Sequence, residues 1–379
     1  MKWEKIEFGK LYLIPSKNGL NRPSRVRGSG YKMINMGELF ANDRIKDIPM
    51  ELVPLNDKEK EVSNIFESDL LFARQSIIAS GAGKCSIVLE VPEITTFESH
   101  LIRVRINRDK ANPLFYYYYF KTPIANIKSL VQQGVQAGIR GSELKYLQVI
   151  YPPIPTQCHI ASILSAYDDL IENNLKRIKL LEEKVFLSYR LILKNEKLEE
   201  YSIEELANVV MGQSPSSNTY TNEKEGLPFH QGVSNYTNYF VENKTYCNKP
   251  IKIAEANDIL FSVRAPVGRI NFTKDRICIG RGLCAFRSKK GFQNYFYYQL
   301  KDFFFTEDRI GNGAIFNAVT KSELIKVTLK TPCDKVQIEF EKEAQLIYNL
   351  ILNLTKQNTK LQESRDILLP RLINGEIEV

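Results

Sequence analysis

The sequence predicts an α+β protein in which two similar mixed α/β domains are separated by two long helices that form an antiparallel coiled coil. Three observations predict this fold: a long apolar stripe with helical spacing, a second such stripe near the carboxyl terminus, and an internal repeat with an offset of 180 residues. We therefore expect a pseudo-two-fold chain divided into residues 1–155, 156–199, 200–332 and 333–379.

The first stripe lies in residues 156–194, which contain neither Gly nor Pro. Its apolar residues recur at spacings of three and four, which places them on one face of a helix. From Ile160 to Ile192 such a helix spans roughly 50 Å, and its near-heptad repeat is typical of a coiled-coil seam. The stripe consists of Ile160, Ile163, Leu164, Tyr167, Leu170, Ile171, Ile178, Leu181, Val185 and Ile192.

The second stripe lies in residues 337–369. The same offset relates Ser142-Glu143-Leu144 to Ser322-Glu323-Leu324 and Gln157 to Gln337, which indicates one internal duplication rather than a many-unit solenoid. If the two helices are antiparallel, the offset predicts that position i faces position 532 − i. The apolar pairs include Ile171 with Leu361 and Ile178 with Leu354, and Tyr167 faces Arg365, whose stem its ring can cover.

One polar residue interrupts each stripe, and the register places Asn174 opposite Asn358. A lone Asn in an apolar seam costs stability, whereas two facing amides can hydrogen-bond and fix the register. We therefore favour a hydrogen-bonded pair over the alternative in which both side chains turn to solvent.

The net charge of +8 is unevenly distributed along the chain. Residues 1–150 carry +6 and residues 201–332 carry +5, whereas residues 151–200 carry −1 and residues 333–379 carry −2. Two basic regions joined by nearly neutral helices indicate that both regions bind the same polyanion. DNA is the obvious candidate.

The six cysteines are scattered without a CxxC pair, which favours a reduced, cytoplasmic protein with free thiols. His159 adjoins Cys158, but none of the three histidines has a partner at metal-ligand spacing, so we expect no metal site. The amino terminus is charged and no apolar run reaches 18 residues. We therefore expect neither a signal peptide nor a membrane span.

In the first domain, residues 69–74 form an apolar run that predicts a buried strand, with Arg74 and Gln75 at its end. Residues 80–85 lack the spacing of a phosphate-binding loop and are interpreted as a turn before a further strand at 86–89. Residues 101–106 alternate like a half-buried strand.

An aromatic run at residues 115–120 follows the helix-start signal Asn112-Pro113 and has a counterpart at residues 295–298. Such a run can stack bases. A feature present in both halves more often builds the fold, so we favour a core helix.

Two polar loops of the first domain are candidate DNA contacts. The basic loop at residues 15–30 is interpreted equally well as a phosphate-binding and base-binding segment or as a solvated loop. The Gln-rich loop at residues 132–140 favours DNA, because Gln pairs with adenine and Arg with guanine. The candidates are Arg22, Arg25, Arg27, Lys32, Arg74, Gln75, Gln133, Gln136 and Arg140.

The second domain repeats this plan with different loop chemistry. A hydroxyl-rich segment at residues 211–217 takes the place of the basic loop, and residues 310–317 take the place of the Gln-rich loop. Two domains that share one fold but recognise different DNA sequences would show this pattern. The candidate DNA contacts are Gln213, Ser216, Ser217, His230, Gln231, Arg264, Asn312, Phe316 and Asn317.

The whole chain resembles the specificity subunit of type I restriction-modification systems. The resemblance rests on the strands that begin Asp69-Leu70-Leu71-Phe72 and Asp258-Ile259-Leu260-Phe261, the Ser-Glu-Leu segments before each long helix, and the carboxyl-terminal segment at residues 363–376. It implies two target-recognition domains that each read one part of a split double-stranded DNA target. It also implies that the helices act as a ruler and as a dock for two modification subunits, that a restriction subunit joins the complex, and that S-adenosylmethionine belongs to the modification subunit.

The sequence contains no motif for catalysis that we recognise. Tyr151-Pro152-Pro153-Ile154 lacks the polar first residue of an adenine-methylation motif, and there is no glycine-rich donor loop, Walker A sequence or nuclease carboxylate cluster. We therefore expect a chain that recognises DNA without catalysing a reaction. The alternatives are a stand-alone two-module DNA-binding regulator and an enzyme with an unrecognised motif.

Overall fold

The computed structural model describes residues 3–76, 79–132, 137–305 and 318–379. The chain divides into two compact units, one of residues 1–171 with 359–379 and the other of residues 172–358. Each unit therefore combines an α/β body with part of both long helices. Among the described residues, no helix is both long and apolar enough to cross a membrane.

The elements up to the first long helix belong to the amino-terminal half. Its strands are β1 (Lys5–Glu7), β2 (Tyr12–Asn18), β3 (Tyr31–Ile34), β4 (Arg44–Ile45), β5 (Glu51–Val53), β6 (Leu70–Ala73), β7 (Gln75–Ser76), β8 (Cys85–Val88), β9 (Thr95–Phe97), β10 (Leu101–Ile106), β11 (Ala137–Gly138) and β12 (Gln148–Ile150). Its helices are α1 (Met36–Ala41), α2 (Asp57–Ser63), α3 (Pro113–Phe120), α4 (Gly141–Leu144) and the long α5 (Ile154–Asn195).

The carboxyl-terminal half repeats this order. Its strands are β13 (Glu199–Ser202), β14 (Ala207–Met211), β15 (Tyr220–Thr221), β16 (Leu227–His230), β17 (Tyr246–Cys247), β18 (Ile253–Ala254), β19 (Ile259–Ser262), β20 (Ile270–Phe272), β21 (Ile277–Ile279), β22 (Leu283–Ser288) and β23 (Thr328–Thr331). Its helices are α6 (Ile203–Leu206), α7 (Gln293–Phe305), α8 (Lys321–Leu324) and the long α9 (Asp334–Asn374).

The two halves share a core of corresponding strands, to which each half adds strands of its own. The order β2-β10-β6-β8 in one half matches β14-β22-β19-β20 in the other, and the antiparallel pair β1–β12 matches β13–β23. A parallel pair, β3 with β9, likewise matches β16 with β21. The predicted internal duplication is therefore confirmed at the level of strand pairing.

A buried aspartate begins the central strand of each half. Both carboxylate oxygens of Asp69 accept hydrogen bonds from the Arg105 guanidinium at 2.7 Å. Asp258 accepts from Arg287 in the same two-point geometry, at 2.8 and 2.9 Å. Each carboxylate also accepts from the backbone N–H three residues before it, which is that of Phe66 or Glu255. Paired geometry of this kind satisfies a buried charge and fixes the turn that leads into the strand.

The aromatic run of the first half forms α3, and the core-helix interpretation is confirmed. Asn112 caps the helix by accepting hydrogen bonds from two backbone N–H groups. The side chains of Tyr116 to Tyr119 are fully buried. The hydroxyl of Tyr116 donates to the carbonyl of Ile150, so this ring joins the core and cannot stack on a base. The counterparts in α7, residues 295–298, are buried as well.

Strand β10 is buried on both faces, so its predicted half-burial is wrong. Ile102 and Val104 belong to the core beneath α3, whereas Leu101 belongs to a second apolar cluster on the opposite face. The charged residues that suggested exposure are accommodated inside: Arg103 is 3% exposed, and Arg105 pairs with Asp69.

The long helices are antiparallel, as predicted. In the second unit Tyr189 contacts Phe340 with ring centroids 6.4 Å apart, and Lys184 pairs with Glu343 at 2.8 Å. Later residues of α5 thus meet earlier residues of α9. Ile178 and Leu354, a predicted seam pair, belong to the same buried cluster.

One detail of the predicted seam is corrected. Leu170 is 51% exposed, because the buried positions nearby are Leu164, Asp168 and Ile171, and their spacing turns residue 170 away from the seam. Arg365, which is predicted to face Tyr167, also has a charged partner. Its guanidinium pairs at 2.5 Å with the buried carboxylate of Asp168, which also accepts a 2.7 Å hydrogen bond from the Tyr118 hydroxyl.

The predicted amide pair is present in the second unit. Asn174 Nδ2 donates to Asn358 Oδ1 at 2.8 Å, and each residue is only 6% exposed. A shift of either helix by one residue would separate these groups and leave buried amides without this partner. The pair therefore selects one register from those that the apolar spacing allows.

Replacing either Asn174 or Asn358 alone with Leu should lower the free energy of unfolding by about 1–3 kcal/mol, because the remaining amide stays buried without its partner. The double replacement should maintain or raise stability. Denaturant unfolding of the three variants tests this. Asn173→Leu on the exposed face of the same helix is the matched control. Equal losses in the single and double variants would contradict the pairing.

Candidate nucleic-acid interface

A basic groove of about 780 Å³ lies at one end of the first α/β body. Arg74 follows β6, and Arg140 and Lys145 flank the short helix α4, so two chain segments supply three cations. Strand β2 forms the opposite wall and contributes Ser16 and Asn18. No acidic residue is among the described residues that line the groove. Such a surface attracts a polyanion.

Backbone pairing brings three candidate DNA contacts together, namely Arg74, Gln75 and Arg140. Strands β7 and β11 form an antiparallel pair in which Gln75 is opposite Gly138. The N–H of Ile139 donates to the carbonyl of Arg74 at 2.8 Å, which holds the residue before Arg140 against the end of β6. Gln133 and Gln136 lie outside the described residues. Gln132 and Gly138 on either side of them are joined by two backbone hydrogen bonds of 2.9 and 3.1 Å.

Three of the four candidate cations in and beside the basic loop pair with carboxylates from other segments. Arg22 pairs with Glu59 at 2.6 Å, Arg27 pairs with Glu51 at 2.5 Å, and Lys32 pairs with Asp47 and Glu93 at 2.7 and 2.6 Å. The hydrogen bond from Arg22 lowers the pKa of Glu59. Arg25 is exposed and has no ion pair within the described part of the chain, so it is the cation of this loop most available to a phosphate.

The polar candidates of the second half gather where several strands end. β14 ends just before Gln213, β16 just before Gln231 and β19 just before Arg264. Gln213, Ser216, Ser217, Gln231 and Arg264 are all exposed. Asn312, Phe316 and Asn317 lie outside the described residues, but Arg264 and Ala318 are joined by a β-bridge. Because β14–β22 and β19–β22 are antiparallel pairs, these chain ends share one edge.

His230 is corrected from a candidate DNA contact to a structural residue. It is 1% exposed, and its Nε2 lies 3.0 Å from Asn243 Oδ1, while Asn243 Nδ2 donates to Asp275 Oδ2 at 2.7 Å. The Asn243 oxygen therefore requires a proton on Nε2, which makes the imidazole neutral when Nδ1 is unprotonated. Burial lowers the pKa of His230. A side chain enclosed in this way is not available to a base.

Two exposed cations were missed by sequence reasoning. Lys145 follows the Ser-Glu-Leu segment, which we had interpreted only as part of the repeated frame. Arg281 lies in the sequence Ile279-Gly280-Arg281-Gly282, between β21 and β22. An Arg between two glycines at a strand end is a tight turn that presents a cation, and that signal was available in the sequence.

Within the ranges that the structure describes, no three His, Cys, Asp or Glu side chains group as a metal site. Each α/β body presents exposed polar and guanidinium groups of its own where its strands end, and such groups suit the binding of a polyanion.

The comparisons with known proteins also indicate a protein that recognises DNA. The family model described as type I restriction modification DNA specificity domain matches the chain twice, at residues 2–183 and 195–363. A putative type I restriction enzyme MjaX specificity subunit from Methanocaldococcus jannaschii is 30% identical over all of this chain and 94% of the relative. The MjaIX specificity subunit of the same organism is 24% identical over 72% of this chain and 71% of that protein.

A solved structure shows the same fold. The crystal structure of a type I restriction-modification S subunit from M. genitalium superposes with a TM-score of 0.62 at 16% identity, covering 98% of this chain and 96% of the other. The chain belongs to the family of type I restriction-modification specificity subunits. It is the recognition component of such a system, whose catalysis is performed by partner subunits, and the stand-alone regulator is not favoured.

The buried His230 should make the stability of the protein depend on pH. Its pKa is lower in the folded than in the unfolded chain, so the unfolded chain binds the extra proton first as the pH falls below about 6.5. The stability contribution is present above that pH and is lost below it. Denaturant unfolding at pH 7.5 and 5.5 should show a larger loss for the wild type than for His230→Gln. The exposed His159→Gln is the control, and parallel losses in wild type and His230→Gln would contradict this account.

Proposed function

We propose that each half of the chain reads one part of a split double-stranded DNA target. The proposal rests on one observation: the two halves share a core of corresponding strands, but different polar side chains lie where those strands end. We call these strand ends the tips. The first tip is the basic groove of Arg74, Arg140 and Lys145, and the second is rich in amides and hydroxyls around Gln213 and Gln231. Identical frames with different tips fit two readers of unlike sequences, because base edges are distinguished by their donor and acceptor patterns.

We further infer that α5 and α9 set the gap between the two parts of the target and dock two modification subunits. The amide pair supports the first inference, because a gap of fixed length needs helices with one register. Exposed apolar residues on the helices, such as Leu180, Leu187 and Leu346, support the second.

The methyl donor S-adenosylmethionine would bind the modification subunit, and this chain would hold no cofactor. A reducing, cytoplasmic location is supported by the six cysteines, which are all free thiols. Four of them are buried, and burial raises the thiol pKa of Cys85, Cys278 and Cys284, which keeps these three in the unreactive protonated form.

Lys145→Ala should reduce the slope of log affinity against log salt by about one, because one phosphate contact is lost, while the recognised sequence stays the same. Arg140→Ala should instead relax one position of the target if Arg140 contacts a base, at about 1–3 kcal/mol. Salt-dependent binding of DNA to the complex with the modification subunits measures both effects. Lys356→Ala, an exposed cation on α9, is the control. An unchanged slope for Lys145→Ala would remove this groove from the interface.

A further inference from the structure

A hydrogen-bonded chain links three residues at the tip of the second α/β body. The Ser214 hydroxyl donates to Gln231 Oε1 at 2.7 Å, and the same hydroxyl oxygen accepts from the backbone N–H of Arg281 at 3.2 Å. Gln231 and Arg281 are both exposed, whereas Ser214 is half-buried between them. One hydroxyl thus connects the loops that follow β14, β16 and β21.

The packing around Gln231 leaves this side chain little freedom. A Cβ placed on Gly280 would lie 2.4 Å from Gln231 Oε1, and one on Gly282 would lie 2.5 Å from the Gln231 carbonyl oxygen. The two glycines therefore let the turn around Arg281 close onto Gln231. The N–H of Gly280 also donates to the carbonyl of His230 at 2.8 Å, which fixes the residue before Gln231.

The hydrogen bond from Ser214 determines what Gln231 can recognise. A free Gln amide offers one acceptor and one donor, which together match adenine. Here the acceptor oxygen faces Ser214, so the outward group is the NH2 donor. A donor alone can contact the acceptors of guanine, thymine or adenine N7, but it leaves the N6 amino group of adenine without an acceptor. It cannot contact cytosine, whose major-groove edge offers only a donor.

Arg281 adds a second donor group beside it. Its guanidinium forms no ion pair within the described portion of the chain, and neither does that of the neighbouring Arg264. An unpaired guanidinium at an exposed turn can contact guanine O6 and N7 at two points. The adjoining Gln231 and Arg281 therefore present donors to one stretch of groove.

The equivalent position in the first half has different chemistry. Phe97 in β9 pairs with β3 as Ile279 in β21 pairs with β16, so Glu98 and Ser99 correspond to Gly280 and Arg281. The Glu98 carboxylate accepts from the N–H of Met36 at 2.5 Å. The turn of the first half therefore supplies no cation of its own, and the cation beside it is Arg74, whose guanidinium donates to the Ser99 carbonyl at 3.2 Å. A cation that comes from a different segment in each half is expected if the feature serves sequence choice and not the common frame.

We propose that Arg281 and Gln231 read bases of the second half of the target, and that Ser214 is a positioning residue that restricts Gln231 to donating. This inference rests on the proposed function. It predicts that the second half-target contains a guanine contacted by Arg281 and a neighbouring base other than cytosine contacted by Gln231.

The test is selection from a randomised double-stranded DNA library by the full chain in complex with its modification subunits. Arg281→Ala and Arg281→Lys should each lower discrimination at one position of the second half-target by about 5- to 150-fold, because Lys keeps the charge but loses the two-point geometry. Ser214→Ala should raise the share of adenine at the position that Gln231 reads, because the freed amide oxygen can accept from adenine N6, and Gln231→Ala should relax that same position.

The first half-target is read from the same selected molecules and reports that the complex is intact. Arg276→Ala, which removes an exposed guanidinium paired with Glu255, is the matched control and should change neither half. An unchanged second half-target in the Arg281 and Gln231 variants, or loss of that whole half while the first is kept, would overturn the inference. Absence of any split preference in the wild-type complex would instead overturn the proposed function.

Discussion

The hydrogen bond between Asn174 and Asn358 is the constraint on which the helix pair depends. Apolar residues at spacings of three and four make two helices adhere, but they tolerate shifts along the seam because one aliphatic side chain replaces another at little cost. Two buried amides do not tolerate such a shift, since each would lose its partner in a nearly dry environment. A split DNA target requires a gap of defined length, so a polar interaction that costs some stability is well suited to a protein whose function depends on register.

In each half, one set of residues stabilises the fold and another set, at the strand ends, is placed to recognise DNA. The Asp69–Arg105 and Asp258–Arg287 pairs, the buried tyrosines and the strand order are common to both halves. Where the strands end, the chemistry differs. The first half gathers cations around a groove, whereas the second holds a hydroxyl, an amide and a guanidinium in one hydrogen-bonded chain. Because the frame is satisfied internally, changes at the tips alter recognition without disturbing the core.

Much of the fold could be predicted because its signals are periodic or repeated. The helical stripes, the offset of 180 residues and the antiparallel register predict the Asn174–Asn358 pair from the sequence alone, and the structure contains it. Sequence patterns were insufficient where a tertiary partner matters. His230 resembles a polar residue at a strand end, but it is buried against Asn243. Arg22, Arg27 and Lys32 each pair with a carboxylate from another segment, which the loop composition does not reveal, and their contact with DNA stays a prediction. Side-chain periodicity carries no information about such partners.

The central claim is that the paired helices determine the spacing of two independently read half-targets. Inserting four residues after Leu180, with a matching insertion after Leu352 to keep the register, lengthens each helix by about 6 Å. Mapping of methylated sites in cells that express the altered chain with its partner subunits measures the result. The account predicts that both half-targets are kept while the gap between them grows by one or two base pairs, at about 3.4 Å for each pair. An unchanged gap, or the loss of either half-target, would contradict it.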